Sequence, residues 1–325
     1  MTSSKPRVLM LDPVAYEEMG PVARERIDDV FDLTRLWEVA DGDAYLAAHG
    51  TEFRGILGRG SMPVATLEKL PNVEIVAQTG VGTDKAPIDY YRAHNISYTN
   101  TRGSLSDSVA DIAIILGLCV TRGIINGDHR VRSGAWATER PPMGRSFSGK
   151  NFGILGLGSI GSALARRLEG FDGTIRYHNR RPVEGASYEY CETLMDLATR
   201  SDFLFMALPG GAATTAIVDE TVLRALGPDG IVVNVGRGTA IDEEALVRVL
   251  KDGGLGGAGL DVHAREPHAN PELVKMTNVV LLPHLGSSTT ETRAAMHALC
   301  IDNLLAHFEG RPLPTPVFDA KNPNG

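Results

Sequence analysis

The sequence predicts an α/β protein of two domains, each a parallel sheet with helices on both faces, and three observations point there. Short aliphatic or β-branched runs alternate with amphipathic, helix-length segments along nearly the whole chain, the pattern of β-α-β units. The 325 residues exceed what one core comfortably organises. A second strand–helix series starts afresh near residue 152, after a connector containing Pro, Gly and Arg from 140 to 149.

In the first series, strands are expected at 7–11, 33–38, 55–57, 73–78 and 96–99, with helices near 21–31, 43–49, 63–69 and 87–94. Residues 107–133 read as one long, mostly apolar helix. The second series has strands at 152–155, 174–178, 203–207, 231–235, 257–260 and 279–282, and a first helix at 162–169. A last helix, 289–309, precedes a Pro-rich end, RPLPTPVF.

Composition removes several function classes. Forty acidic against 32 basic residues leave a net charge of −8, and no basic field for a nucleic acid. Cys119, Cys191 and Cys300 are far apart and odd in number, which suggests neither disulfides nor a zinc site, so no metal is expected. The start, MTSSKPRVLML, has four consecutive apolar residues before Asp12, too few for a secretory core. The longest apolar stretch, 109–120, is shorter than a bilayer span and contains Asp111. A cytoplasmic location without membrane partners is therefore expected.

The strongest local signal is Gly156-Leu157-Gly158-Ser159-Ile160-Gly161, directly between a strand and a helix. Such glycines let the backbone turn, let a pyrophosphate approach and let the helix pack on its strand, while the helix N-terminus offers free N–H groups. In that context the motif predicts dinucleotide binding. At the end of the next strand, a site selective for NAD places an acidic residue to accept from the ribose 2′-hydroxyl. Here stand Asn179, Arg180 and Arg181, which suit a 2′-phosphate, although a solvated basic turn has the same composition.

Three clusters fall at the C-terminal ends of later strands: Asn234 to Gly238, Gly259 to Val262 with Glu266 and Pro267 following, and Pro283 to Ser287. Reduction of a 2-oxo acid needs a cation for the carboxylate and a proton donor for the oxygen. The arginine fork fits the first, and an imidazole beside a carboxylate fits the second. Taken singly, Arg237 reads as a surface residue, Glu266 as a solvated loop charge and His284 as a core histidine.

Taken together, GLGSIG, VNVGRG, GLDV with HAREP, and LLPHLGSST, in this order and spacing, closely resemble the D-isomer-specific 2-hydroxyacid dehydrogenases. TGVGTD near residue 80 and SVAD near residue 110 extend the likeness over nearly the whole chain. Within the family the chain is most similar to the glyoxylate/hydroxypyruvate and hydroxyphenylpyruvate reductases. The resemblance implies two Rossmann-like domains, a flavodoxin-like substrate domain of 1–105 with 289–325 and a dinucleotide-binding domain of 106–288, with the active site between them. It implies NAD(P)H-dependent reduction of a 2-oxo acid to the D-2-hydroxy acid. Arg237 would bind carboxylate and keto oxygen, His284 would donate the proton, and Glu266 would hold the imidazole.

The cofactor would be met by Gly156, Gly158, Ser159, Ile160, Gly161, Asn179, Arg180, Arg181, Leu208, Pro209, Thr214, Val235, Gly236, Asp261 and Gly286. Substrate would meet Arg59, Val81, Gly82, Arg237 and Ser287. A homodimer is implied, with the long helix and connector at its interface and Trp136 reaching toward the partner's site. Asn179 in place of the family's usual acidic residue points to NADP(H) in preference to NAD(H). The sequence also departs from the family at Pro87, where Asp is common, and at Gly210 and Gly211, where Leu-Thr is common. Two other readings share the motifs: a nucleotide-sensing scaffold like the corepressors of this fold, and a phosphite dehydrogenase.

Overall fold

The computed structural model describes residues 5–58 and 62–322, so Arg59 lies outside the described residues. The chain divides into two compact units, Met1–Leu105 with Thr289–Gly325, and Ser106–Ser288. Among the described residues thirteen strands are formed: β1 (Arg7–Met10), β2 (Asp32–Arg35), β3 (Gly55–Gly58), β4 (Ile75–Gln78), β5 (Ser97–Thr99), β6 (Asn151–Leu155), β7 (Thr174–His178), β8 (Glu189–Tyr190), β9 (Phe203–Met206), β10 (Ile231–Asn234), β11 (Gly257–Leu260), β12 (Val279–Leu281) and β13 (Pro316–Phe318).

In the first unit the strands run in the order β2-β1-β3-β4-β5-β13, parallel except for β13, which pairs antiparallel with β5. The first five follow the flavodoxin-like order. Alternate side chains serve opposite faces. Val8, Met10 and Leu57 pack with Ala23 and Ile27 of one helix and Ile301 and Leu304 of another, whereas Leu9, Ile56 and Val76 pack with Leu46, Leu67 and Tyr91.

The second unit carries a seven-stranded, fully parallel sheet, β8-β7-β6-β9-β10-β11-β12. Counted from β6, this is the doubly wound order in which the first strand is central and the direction of growth reverses. Every residue of β9, β10 and β11 is buried, as both faces are covered.

Three local expectations are corrected, and one helix is added. The strand expected at 33–38 ends at Arg35, because β1 stops at Met10, its last partner; beyond it Leu36–Glu38 forms a 3-10 turn. Helix Pro13–Glu18, not expected, is nucleated by Asp12, whose carboxylate accepts from the N–H groups of Val14 and Ala15 at 3.0 and 3.3 Å. The long helix is two, Ser106–Arg122 and Ile124–Ser133, bent by 62° at Gly123, whose φ of 59° lies outside the helical region. The helix after the glycine loop starts at Ser159, three residues early, so Gly161 lies inside its first turn.

Candidate active site

The glycine loop fits a pyrophosphate. Gly156 turns the chain at φ 101°, and a Cβ there would stand 3.0 Å from the Ala207 backbone. A Cβ on Gly161 would lie 2.1 Å from the Gly156 carbonyl oxygen, so only glycine lets helix Ser159–Leu168 sit this close to the loop. Nothing stands within 4 Å of a Cβ built on Gly158, which caps the helix without a side-chain hydrogen bond. The N–H groups of Ser159 and Ile160 find no acceptor among the described residues. Free donors at the positive end of a helix, facing open space, are what an anionic diphosphate needs.

At the end of β7, the Asn179 carboxamide oxygen accepts from the Leu157 N–H at 2.7 Å, which ties the turn after β7 to the glycine loop. Tyr190 Oη donates to the Asn179 carbonyl at 3.1 Å. Arg180 and Arg181 are exposed and make no ion pair among the described residues. Leu208 is buried, Pro209 is exposed, and Thr214 Oγ1 closes their loop by donating to the Pro209 carbonyl at 2.9 Å.

The three polar clusters follow neighbouring strands, β10, β11 and β12, and so emerge side by side. After β10, the buried Asn234 braces its own loop, accepting from the Gly236 N–H at 3.0 Å and donating to the Arg237 carbonyl at 2.8 Å. Val235 and Gly236 are buried, and Arg237 is half-buried with Nη1 2.8 Å from the Gly236 carbonyl. After β11 comes Asp261, 1% exposed. Its carboxylate accepts from the N–H groups of Leu285 and Gly286 at 2.7 and 2.9 Å, and its carbonyl accepts from the His284 N–H at 2.9 Å. These bonds hold His284 at φ 56°, a conformation costly for a side chain larger than glycine.

His284 Nδ1 lies 3.0 Å from Glu266 Oε2, while Glu266 Oε1 accepts from the His263 N–H at 3.2 Å. The hydrogen bond with His284 is the first cause holding the Glu266 carboxyl below the usual glutamate range; burial opposes it. A carboxylate on Nδ1 directs Nε2 outward as the nitrogen that can give up a proton. Ser287 is half-buried, and the neighbouring Gly286 carbonyl accepts from Ser108 Oγ at 2.8 Å.

In the first unit, Val81 and Gly82 follow β4. Their carbonyls are taken by Asn100 Nδ2 at 3.1 Å and Gln78 Nε2 at 2.6 Å, and their N–H groups have no acceptor among the described residues. Sequence reasoning gave no role to Asn234, whose side-chain bonds stay within its own loop, or to His263, whose ring bond to Leu282 joins loops distant along the chain.

A doubly wound sheet, a donor-lined glycine turn and a carboxylate–imidazole pair at neighbouring strand ends define a nicotinamide-dependent oxidoreductase. Residues 114–286 match the NAD-binding domain of the D-isomer-specific 2-hydroxyacid dehydrogenases, and the chain belongs to that family. It is 41% identical to glyoxylate/hydroxypyruvate reductase A of Arabidopsis thaliana, an alignment covering 95% of this chain and 98% of the plant enzyme. It is 42% identical to hydroxyphenylpyruvate reductase of Plectranthus scutellarioides over the same shares. Among solved structures, the NADPH-dependent glyoxylate/hydroxypyruvate reductase of Sinorhizobium meliloti, in complex with NADP and malonate, superposes with a TM-score of 0.89 at 40% identity, covering 98% of each chain. The chain is an enzyme that reduces 2-oxo acids with a nicotinamide cofactor; these relatives do not favour the scaffold or phosphite readings.

Proposed function

We propose that this enzyme is an NADPH-preferring reductase of a small 2-oxo acid, of the glyoxylate/hydroxypyruvate or arylpyruvate class, forming the D-2-hydroxy acid. The observation that carries the reading is the 3.0 Å contact of His284 Nδ1 with Glu266, which leaves Nε2 as the proton-giving atom. Ser106–Ser288 is the dinucleotide-binding domain, and Met1–Leu105 with Thr289–Gly325 the substrate domain.

When bound, the nicotinamide supplies the hydride that the keto carbon accepts. The protein's own groups do the rest. Arg237 holds the substrate carboxylate and keto oxygen in one plane with its guanidinium fork, which orients the carbonyl and stabilises the negative charge growing on oxygen. His284 Nε2 gives that oxygen a proton, and Glu266 steadies the ring and its positive charge. In the first unit, the free amides of Val81 and Gly82 suit a carboxylate, and in the second Ser287 is assigned to substrate. The N–H groups of Ser159 and Ile160 hold the pyrophosphate, helped by Gly156, Gly158 and Gly161. Leu208, Pro209, Thr214, Val235, Gly236, Asp261 and Gly286 line the cofactor.

NADPH is preferred because Asn179 offers no carboxylate to the ribose, while two exposed guanidiniums beside it suit a 2′-phosphate. The enzyme works as a homodimer: Ile124, Ile125, Val131, Trp136 and Met143 are exposed on one segment, Met143 by 99%, and a second copy covers them, with Trp136 turned toward the partner's site. Among the described residues, no single helix is long and apolar enough to cross a membrane; we place the enzyme in the cytoplasm.

A panel of glyoxylate, hydroxypyruvate and hydroxyphenylpyruvate, run with both cofactors, identifies the substrate. His284→Ala is expected to lower turnover by roughly two to four orders of magnitude with NADPH affinity retained. Near-normal turnover in that variant ends the assignment.

A further inference from the structure

The loops carrying Arg237, Glu266 and His284 meet at His263. We propose that His263 is a positioning residue that holds the proton donor in place through the carbonyl of Leu282; this rests on the roles of Glu266 and His284 proposed above.

The imidazole of His263 has its Nε2 2.9 Å from the Leu282 carbonyl oxygen. A carbonyl only accepts, so Nε2 carries the hydrogen and the bond selects that nitrogen. Leu282 stands two residues before His284, and Pro283 between them has a ring-locked φ that limits how the intervening backbone can relax. His284 itself is held at φ 56°, a conformation that persists only where its surroundings over-determine it. Asp261 grips the chain at and after His284. The His263 ring grips it before.

The same residue also holds the partner carboxylate, since its main-chain N–H donates to Glu266 Oε1 at 3.2 Å while Oε2 faces His284. Its backbone touches the third loop as well: a Cβ on Gly238, next to Arg237, would lie 2.0 Å from the His263 carbonyl carbon. The ring's other nitrogen, Nδ1, is buried without a hydrogen-bond partner among the described residues. A phenyl ring would fill the same space without a buried, unpaired ring nitrogen, and the one bond it would take away is the donor to the Leu282 carbonyl. What the imidazole adds to packing is therefore its bond to Leu282.

The test compares His263→Phe with His263→Gln, using NADPH and the 2-oxo acid that the panel identifies. The Phe variant keeps the ring volume and loses the donor. Its kcat per NADPH-binding site is expected to fall about ten- to a hundredfold, the scale of a small misplacement of a reacting group, with NADPH affinity within about twofold. Its alkaline limb of kcat/KM moves to lower pH as the Glu266–His284 contact loosens, which lost packing alone would not do. The Gln variant restores most of the turnover, because its amide N–H again donates to Leu282. Wild-type kcat and pH profile in the Phe variant, equal impairment of Phe and Gln, or a loss explained by fewer NADPH-binding sites each overturn the proposal. His284→Ala serves as the control: if it stays active, the parent reading fails; if it is inactive while the Phe variant is unimpaired, only the role of His263 fails.

Discussion

Glu266→Gln removes one charge from the pair and keeps the shape. The atoms involved are 3.0 Å apart, and the His284 and Glu266 side chains are 50% and 35% exposed. Two unit charges about 4 Å apart interact by about 1 kcal/mol in water and about 4 kcal/mol at an effective dielectric of 20. With so much solvent at both groups the low end applies, about 1 kcal/mol, as for pairs at a surface. That corresponds to a displacement of about half to one pH unit. The carboxyl of Glu266 sits below its ordinary range, chiefly through its hydrogen bond with His284. A lowered carboxylate contributes fully above the ordinary glutamate range, and the contribution is lost as pH falls through the lowered value. The charge is therefore present through neutral and alkaline pH. In kcat/KM for 2-oxo acid reduction followed against pH, Glu266→Gln is expected to move the alkaline limb down by that amount. An unmoved limb, or one moved upward, means that another group titrates and refutes the reasoning.

Three further outcomes follow from the geometry. Arg237→Lys keeps the charge and loses the fork, so steady-state kinetics are expected to show a large fall in kcat/KM for 2-oxo acids; equal efficiency would make Arg237 structural. Asn179→Asp combined with removal of the Arg180 and Arg181 guanidiniums is expected to reverse the NADPH-to-NADH ratio of kcat/KM. In the unmodified enzyme added salt is expected to weaken the proposed preference for NADPH, because both arginines are exposed; equal use of both cofactors at low salt would remove the phosphate role. Gly161→Ala puts a methyl 2.1 Å from the Gly156 oxygen, so thermal melting is expected to show a loss of about 1–3 kcal/mol together with weaker NADPH binding. An unchanged Tm would mean that the loop gives way freely.

The sheet of the second unit is legible in the sequence because its strands are covered on both faces. FLFM of β9 and IVVN of β10 are near-continuous apolar runs that only a buried strand or a core helix would carry. The glycine turn is legible for a similar reason: close backbone approach leaves few residue types to choose from. Edges are harder. Strand β2, DLTR, is partly exposed and stops where β1 stops, and β8 is two residues long. The break at Gly123 is hidden in an apolar stretch because one glycine inside a helical pattern is often tolerated.

For the active-site candidates, residue type and order in the chain spoke for Arg237, Glu266 and His284 only as a set, since a fork, a carboxylate and an imidazole at successive strand ends suit one chemistry. Their arrangement came from elsewhere. Strand order β10-β11-β12 brings loops from residues 234–238, 261–266 and 282–286 together, and only then can Asp261 clasp the backbone of Leu285 and Gly286 or the His263 ring reach Leu282. Local sequence determined which groups were present, through burial pattern and backbone freedom. The hydrogen bonds that orient them join segments some 20 residues apart, and depend on register between neighbouring strands, which no single segment contains; the tertiary structure alone decided them.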